Sequence, residues 1–399
     1  HDALPISIGV DNIGGLEITQ PYYWNLAPNR DITFYPTYWS RRGLRLGTEF
    51  RYLESNNPHR PFVGEARLDY MEKDLLNGAR RWGLNAKHVG LLEPQAFGGN
   101  LGFGLNVNRV SDNDYWKDFA LANNSGVQRL LSNDITLNWS NGTFSTALRT
   151  QMWQTLQDNA NPNNRITPPF DRAPQFTAKL QRTNLSGFDV SLDGDLTRFE
   201  SARDYECTHS GLYNCAPNAT RAVSSAQLSH PLLTTAGYIT PKVQIHGRSY
   251  QFDGGLPANS FYGDHQGQTS ASFAIPTFSL DSGITFERSH RVFDRTWVQT
   301  IEPRAFFVYT PYRDQSYLPN YDSGSSAYNF ATVFAENTFV GHDRIANNKL
   351  LTLGVTSRLL DPDTGADGAR FPRQRPGARA AQAAGRGRAG ARSREDPRG

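Results

Sequence analysis

Nine histidines and two cysteines are the residues of this chain best suited to chemistry. Cys207 and Cys215 flank THSGLYN inside a polar stretch at 200–221. In an oxidising compartment that spacing allows a local disulfide closing a short loop. A metal site would recruit His209 as a third ligand but finds no fourth at a recognisable spacing. The disulfide is therefore the adopted reading, and no metal is expected. The histidines, His1, His59, His88, His209, His230, His246, His265, His290 and His342, are scattered. None sits in an i, i+4 pair, an HExxH or beside a Gly-x-Ser-x-Gly elbow. Gly102-Phe103-Gly104 precedes no helix and is not a phosphate loop. No catalytic residue and no cofactor is assigned.

Chemistry of another kind lies in the alternation of charge. In Gly43–Leu53, Leu44, Leu46, Thr48, Phe50 and Tyr52 fall on one face and Arg45, Gly47, Glu49 and Arg51 on the other. The next segment repeats the pattern, with Glu65, Arg67 and Asp69 opposing Ala66, Leu68 and Tyr70. A strand presents its side chains with period two, so each segment is half apolar and half charged. A soluble sheet buries the apolar face. A membrane barrel inverts it, with the apolar face toward lipid and a wet wall of Arg45, Glu49, Arg51, Glu65, Arg67 and Asp69 toward the lumen.

Further segments alternate at 32–38, 101–108, 134–139, 144–152, 175–181 and 188–196, and more weakly at 222–230 and 238–250. Ser270–Arg288 reads as one long strand with a bulge at Pro276, where its apolar parity shifts. Segments at 297–309 and 350–359 complete a set of about fourteen strands. Connections at 140–142, 182–187, 231–237 and 289–296 are short, whereas those at 154–173, 200–221, 251–266 and 310–349 are long. That asymmetry belongs to outer-membrane barrels. The fold class is all-β, a large antiparallel transmembrane β-barrel, incomplete in the strands it shows.

Composition agrees. No apolar run approaches the ~20 residues of a spanning helix, while aromatics reach 12%, suited to interface girdles. The net charge is +3, yet residues 370–399 hold nine arginines against Glu395 and Asp396, so the body is acidic overall. Nucleic acid is not an expected partner. Residues 1–14 lack a signal-peptide layout and read as an uncertain or non-native leader. Residues 15–361 form the partial barrel domain. Residues 362–399, rich in Ala, Gly, Arg and Pro, read as a disordered tail, out of frame or foreign to the body.

Particular residues then point to a family. QPYYWNLAPNRDITFYPTYWSRRGLRLGTEFRYL (20–53), NDYWKDF (113–119) and PTFSLDSGITFER (276–288) stand in order along the chain. IEPRAFFVYTPYRDQSYLPNYDS (301–323) and FAENTFVGHDRIANNKLLTLGVTSRLLD (334–361) follow. Together they resemble the lipopolysaccharide-assembly family LptD, the organic-solvent-tolerance family. The resemblance implies a very large barrel in the outer membrane, a periplasmic lipid-carrying domain before it, and a plug lipoprotein in its lumen. It implies receipt of lipopolysaccharide from periplasmic bridge proteins and release among the outer-membrane lipids. Release is expected through a lateral seam between first and last strands, weakened by prolines that match Pro21 and Pro36. It also implies partner contact for Arg313, Asp314, Asp343 and Arg344 in the longest loop. The family's disulfides join carrier domain and barrel, an arrangement that Cys207 and Cys215 do not match. Without a carrier domain or strands beyond Asp361, the sequence reads as a fragment. A passive porin-like channel and, behind it, a barrel enzyme are the alternatives.

Overall fold

The computed structural model describes residues 5–54, 62–119, 129–201, 216–258, 261–292, 295–327, 329–330, 332–361 and 367–376. Three short strands lead: β1 (Ser7–Asp11), β2 (Gly15–Thr19) and β3 (Tyr22–Ala27). Longer ones follow, β4 (Arg30–Trp39), β5 (Gly43–Glu54), β6 (Phe62–Met71), β7 (Arg81–Ala96) and β8 (Gly99–Val110). A one-turn helix, α1 (Tyr115–Asp118), precedes β9 (Leu130–Ser140), β10 (Phe144–Thr155), β11 (Asp171–Leu185) and β12 (Phe188–Glu200). The next group is β13 (Ala219–Ser229), β14 (Leu232–Leu233), β15 (Gly237–Phe252) and β16 (Ser270–Ile284). It continues with β17 (Phe286–Val292) and β18 (Arg295–Thr310). A tiny pair, β19 (Gly324–Ser325) and β20 (Phe339–Val340), lies in the loop before β21 (Asn348–Leu360) and β22 (Asp367–Pro376). All except β19 and β20 join one antiparallel sheet of 20 strands.

The sheet is inside out. On β5, Leu44 is 62% exposed while the next residue, Arg45, is 4% exposed. The same inversion holds on β12, where Leu192 and Leu196 are exposed and Asp195 and Thr197 are buried. Such a wall places its apolar side chains where lipid would solvate them. Aromatic rings edge that outer face. Tyr52, Phe62, His88 and Phe103 form a chain of ring contacts at one end. Phe62 lies over Gly90, where a Cβ would fall 2.0 Å from its ring, so the glycine makes room for the girdle. From Leu44 to Tyr52 the strand climbs ~27 Å, or ~21 Å of depth at a tilt of ~40°, close to the height of a barrel's apolar band.

Loop lengths sort by end. Turns after β3, β7, β9 and β11 are tight, and the loops at 72–80, 156–170, 253–269 and 311–347 all open at the other end. Among the described residues, the hydrophobic cores gather at this long-loop end. One joins Trp39, Met71, Tyr115 and Phe119. The other joins Tyr250, Phe252, Tyr262, Ala271 and Leu318 beneath the longest loop.

Several expectations are corrected. The strand β7 goes unread in the sequence because Gly83, Gly90 and the polar Asn85, Lys87 and His88 dilute its alternation. No bulge occurs at Pro276: β15 pairs with β16 in one register from Gly237↔Ile284 to Gln251↔Ser270. The apolar parity shifts because the upper inner face, Ala271 and Phe273, packs against the loop core, whereas the lower outer face, Phe278 and Leu280, is bare. β16 and β17 do share a single register against β18, so the long strand stands, interrupted opposite Pro303. Both composition boundaries are crossed by backbone pairing. β1, within 1–14, pairs with β2, and β22, within the expected tail, pairs with β21. Ladders are built from main-chain groups, which composition does not register.

Candidate functional site

The first site lies at the sheet's beginning. β2 and β3 lie end to end along one edge of β4, paired through Glu17↔Trp39 to Thr19↔Thr37 and resuming at Tyr22↔Phe34. The register is unchanged across the gap, so Gln20 faces Pro36 and Pro21 faces Tyr35. Pro21 and Pro36 are thus diagonal neighbours on adjacent strands. Bonded pairs occupy alternate positions of an antiparallel ladder. Ser40 N donates to Leu16 O at 2.9 Å and Gln20 N donates to Pro36 O at 3.1 Å, which fixes the even pairs as the bonded ones. Pro36 therefore withholds the reciprocal donor toward Gln20. The nitrogen of Pro21 faces the opposite edge, beyond the last β1–β2 pair, Ser7↔Thr19. Pro36 takes a donor from the β2–β4 ladder, and Pro21 takes one from the edge beyond the β1–β2 ladder. Among the described residues no strand pairs with the outer edge of β3.

The charged residues of β5 and β6 lie side by side on one face. Register aligns Arg51 with Glu65, Glu49 with Arg67 and Gly47 with Asp69 on one face. Arg67 Nε donates to Asp69 at 3.2 Å and its Nη1 lies 3.7 Å from Glu49. Arg51 bonds Asp31 at 2.9 Å, Lys87 pairs with Glu65 at 3.3 Å, and buried Arg45 stacks 4.7 Å over the Trp39 ring with its Nε 3.8 Å from Asp69. Above this wall Arg42 and Arg81 bind Asp74, Asp112 and Asp118, tying the 40–42 turn, the 72–80 loop and α1 into one rim.

The longest loop, 311–347, turns inward. Fully buried Arg221 on β13 donates two-pronged to Asp322, both at 2.8 Å, and to Asp343 at 2.8 Å. Asp343 also accepts from Tyr250 Oη at 3.2 Å and from the backbone N–H groups of Tyr321 and Asp322 at 2.7 and 2.8 Å. Burial opposes ionisation of Asp322, but the Arg221 contact and the His342 N–H outweigh it and hold its carboxyl well below the usual range. Deeper in, Glu336 accepts from Ser279 Oγ at 2.5 Å and pairs with Lys242 at 2.6 Å, and Arg304 lies 4.2 Å over Phe334. Tyr250 and Lys242 stand eight residues apart on β15, so the loop follows the wall through ~21 Å of depth.

That placement changes the expected partner set. Asp343 is enclosed by its own chain and faces no outside surface. Arg344 is spent on the carbonyls of Gln315 and Leu318, each at 2.6 Å. Arg313 and Asp314 are exposed. Cys207 and Cys215 lie outside the described residues. Sequence reading missed Arg221, Lys242, Glu336, Arg42 and Arg81. For Arg42, Arg81 and Arg221 the signal is a charge at a strand end or turn that adjoins a long loop; Lys242, within β15, and Glu336, within the loop, carry none.

Comparison with known proteins agrees with this geometry. The LptD family model, described as LPS transport system D, matches residues 79–373. The LPS-assembly protein LptD of Polaromonas sp. (strain JS666) is 50% identical over 92% of this chain and 43% of its own length. That of Albidiferax ferrireducens is 49% identical over 92% of this chain and 44% of its own. The Cupriavidus necator protein is 37% identical over 91% and 42%. The chain thus spans under half the length of these curated relatives.

Proposed function

The chain belongs to the LptD family, and from that premise we propose that it is barrel wall of an outer-membrane machine that moves lipopolysaccharide to the outer leaflet. The long-loop end is extracellular and the short-turn end periplasmic. Lipopolysaccharide leaves sideways at the outer edge of β3, beside the β1–β2 hairpin. The observation that carries this reading is the pair Pro21 and Pro36, which remove one donor from each side of the terminal strand in an inside-out wall. A lipid-exposed edge cannot be satisfied by water, so a seam there must close on another strand and be cheap to part.

The rest follows from the same frame. A plug lipoprotein in the lumen meets the exposed Arg313 and Asp314 of the inward loop, and periplasmic bridge proteins deliver lipid from below. Cys207 and Cys215 remain proposed as a local disulfide on the extracellular side. No catalytic step is assigned. A passive channel requires an unobstructed lumen, and Phe334 and Glu336, seated on Arg304 and Lys242 of the inner wall, argue against it. Depletion of the full-length protein is expected to stop newly made lipopolysaccharide from reaching the cell surface. Arrival at an unchanged rate would overturn the proposal.

A further inference from the structure

Near the short-turn end, the lumen wall beside the first strands carries an exposed apolar row. On β5, β6 and β7, Leu53 pairs with Val63 and Val63 pairs with Val89. All three share the inner parity of Arg51, Glu65 and Lys87, which form the adjoining row toward the long-loop end. They are 52%, 52% and 62% exposed, so they are not covered by a core of their own. The row continues onto Gly104 of β8, which adds no side chain. It borders a groove of about 880 Å³ whose lining includes Tyr23 and Asp31, and which opens toward the terminal strand.

This is no general property of the wall near the short-turn end. On the far side, the inner row reads Gln181, Ser191, Gln227 and Gln244 across β11, β12, β13 and β15. The wall beside the seam is graded, from apolar at the short-turn mouth to charged above. Its cations are each matched by an anion, Arg51 by Asp31 and Lys87 by Glu65, so the gradient is one of polarity and not of net charge. Such a surface orients an amphiphile with its polar part toward the long loops and its hydrocarbon toward the mouth.

We infer that Leu53, Val63 and Val89 form a seat for a fatty-acyl chain of the transported amphiphile, occupied before it enters the seam. This rests on the transport reading above. The row would supply only apolar contact, and the charged rows would keep the saccharide end turned away from it.

The test uses the full-length protein in cells, with a photoreactive amino acid at Val63, Val89 or Tyr35 in separate variants. Tyr35 lies on the inner face opposite Pro21 and serves as the reference position. Lipopolysaccharide adducts attached through acyl carbon at 63 and 89, and through saccharide at 35, are expected. Val63→Asp should lower surface delivery several-fold while Gln227→Asp, in the polar row of the far side, leaves it unchanged, both barrels retaining their folded gel mobility. Adducts at 35 but only protein adducts, or none, at 63 and 89 would overturn the seat and leave transport standing. No lipopolysaccharide adduct at any position, with delivery unaffected by depletion, would instead overturn the transport reading.

Discussion

Two walls of the same sheet are built to opposite ends. β13 and β15 share unbroken pairing from Ala219↔Phe252 to Ser229↔Lys242, and Arg221 fastens the long loop across them. β2 and β3 hold β4 through three pairs and then five, parted by a gap where Pro36 gives no donor. One wall is redundant in hydrogen bonds and ion pairs; the other is deficient by sequence. In the transport reading proposed above, this difference places the opening at the deficient wall and not at the far wall, which its loop buttresses.

The contrast breaks most visibly at the clamp. Arg221→Leu would strand Asp322 and Asp343 as buried charges, costing about 3–5 kcal/mol of loop docking. Amide exchange across 311–347 is expected to accelerate while the β2–β4 ladder is untouched; equal loosening of both walls would deny that they are separate. Next in size is the lipid face. Leu192→Arg is expected to destabilise the barrel in lipid vesicles by about 2–4 kcal/mol, with Ser191→Arg on the lumen face costing far less. Comparable losses would mean that the faces are assigned the wrong way round.

Much of this was legible in the sequence, and the exceptions are physical. Alternation identified the wall of Arg45–Asp69 and the outward leucines, because on a barrel each face meets a single solvent. It missed β7, whose glycines serve ring packing, Gly90 under Phe62 on the outer face and Gly83 against Tyr115 on the inner, rather than alternation. It also took Asp343 and Arg344 for partner contacts. A loop folded back onto its own lumen spends its charges internally, and nothing local in PNYDS or GHDRI records that the counter-ion is Arg221, over a hundred residues away. Pro21 and Pro36 were found, but the edge from which each one takes a donor follows only from register.

The smaller predictions sharpen that last point. Pro36→Ala returns a donor opposite Gln20 and is expected to stabilise the β2–β4 ladder by about 1 kcal/mol, read as slower exchange of the Gln20 amide. Pro21→Ala faces the other edge and should change that amide's exchange by less than a factor of about 2, within ordinary surface effects. Equal slowing by both would refute the assignment of the prolines to different edges.

The central claim is that a deficit of hydrogen bonds at the terminal strand is what lets lipid leave. The rate at which newly made lipopolysaccharide reaches the surface, in cells carrying the full-length protein as Pro21→Ala/Pro36→Ala, tests it most directly. At matched levels of folded protein the account predicts delivery several-fold slower than with both prolines present; delivery at the original rate would contradict it.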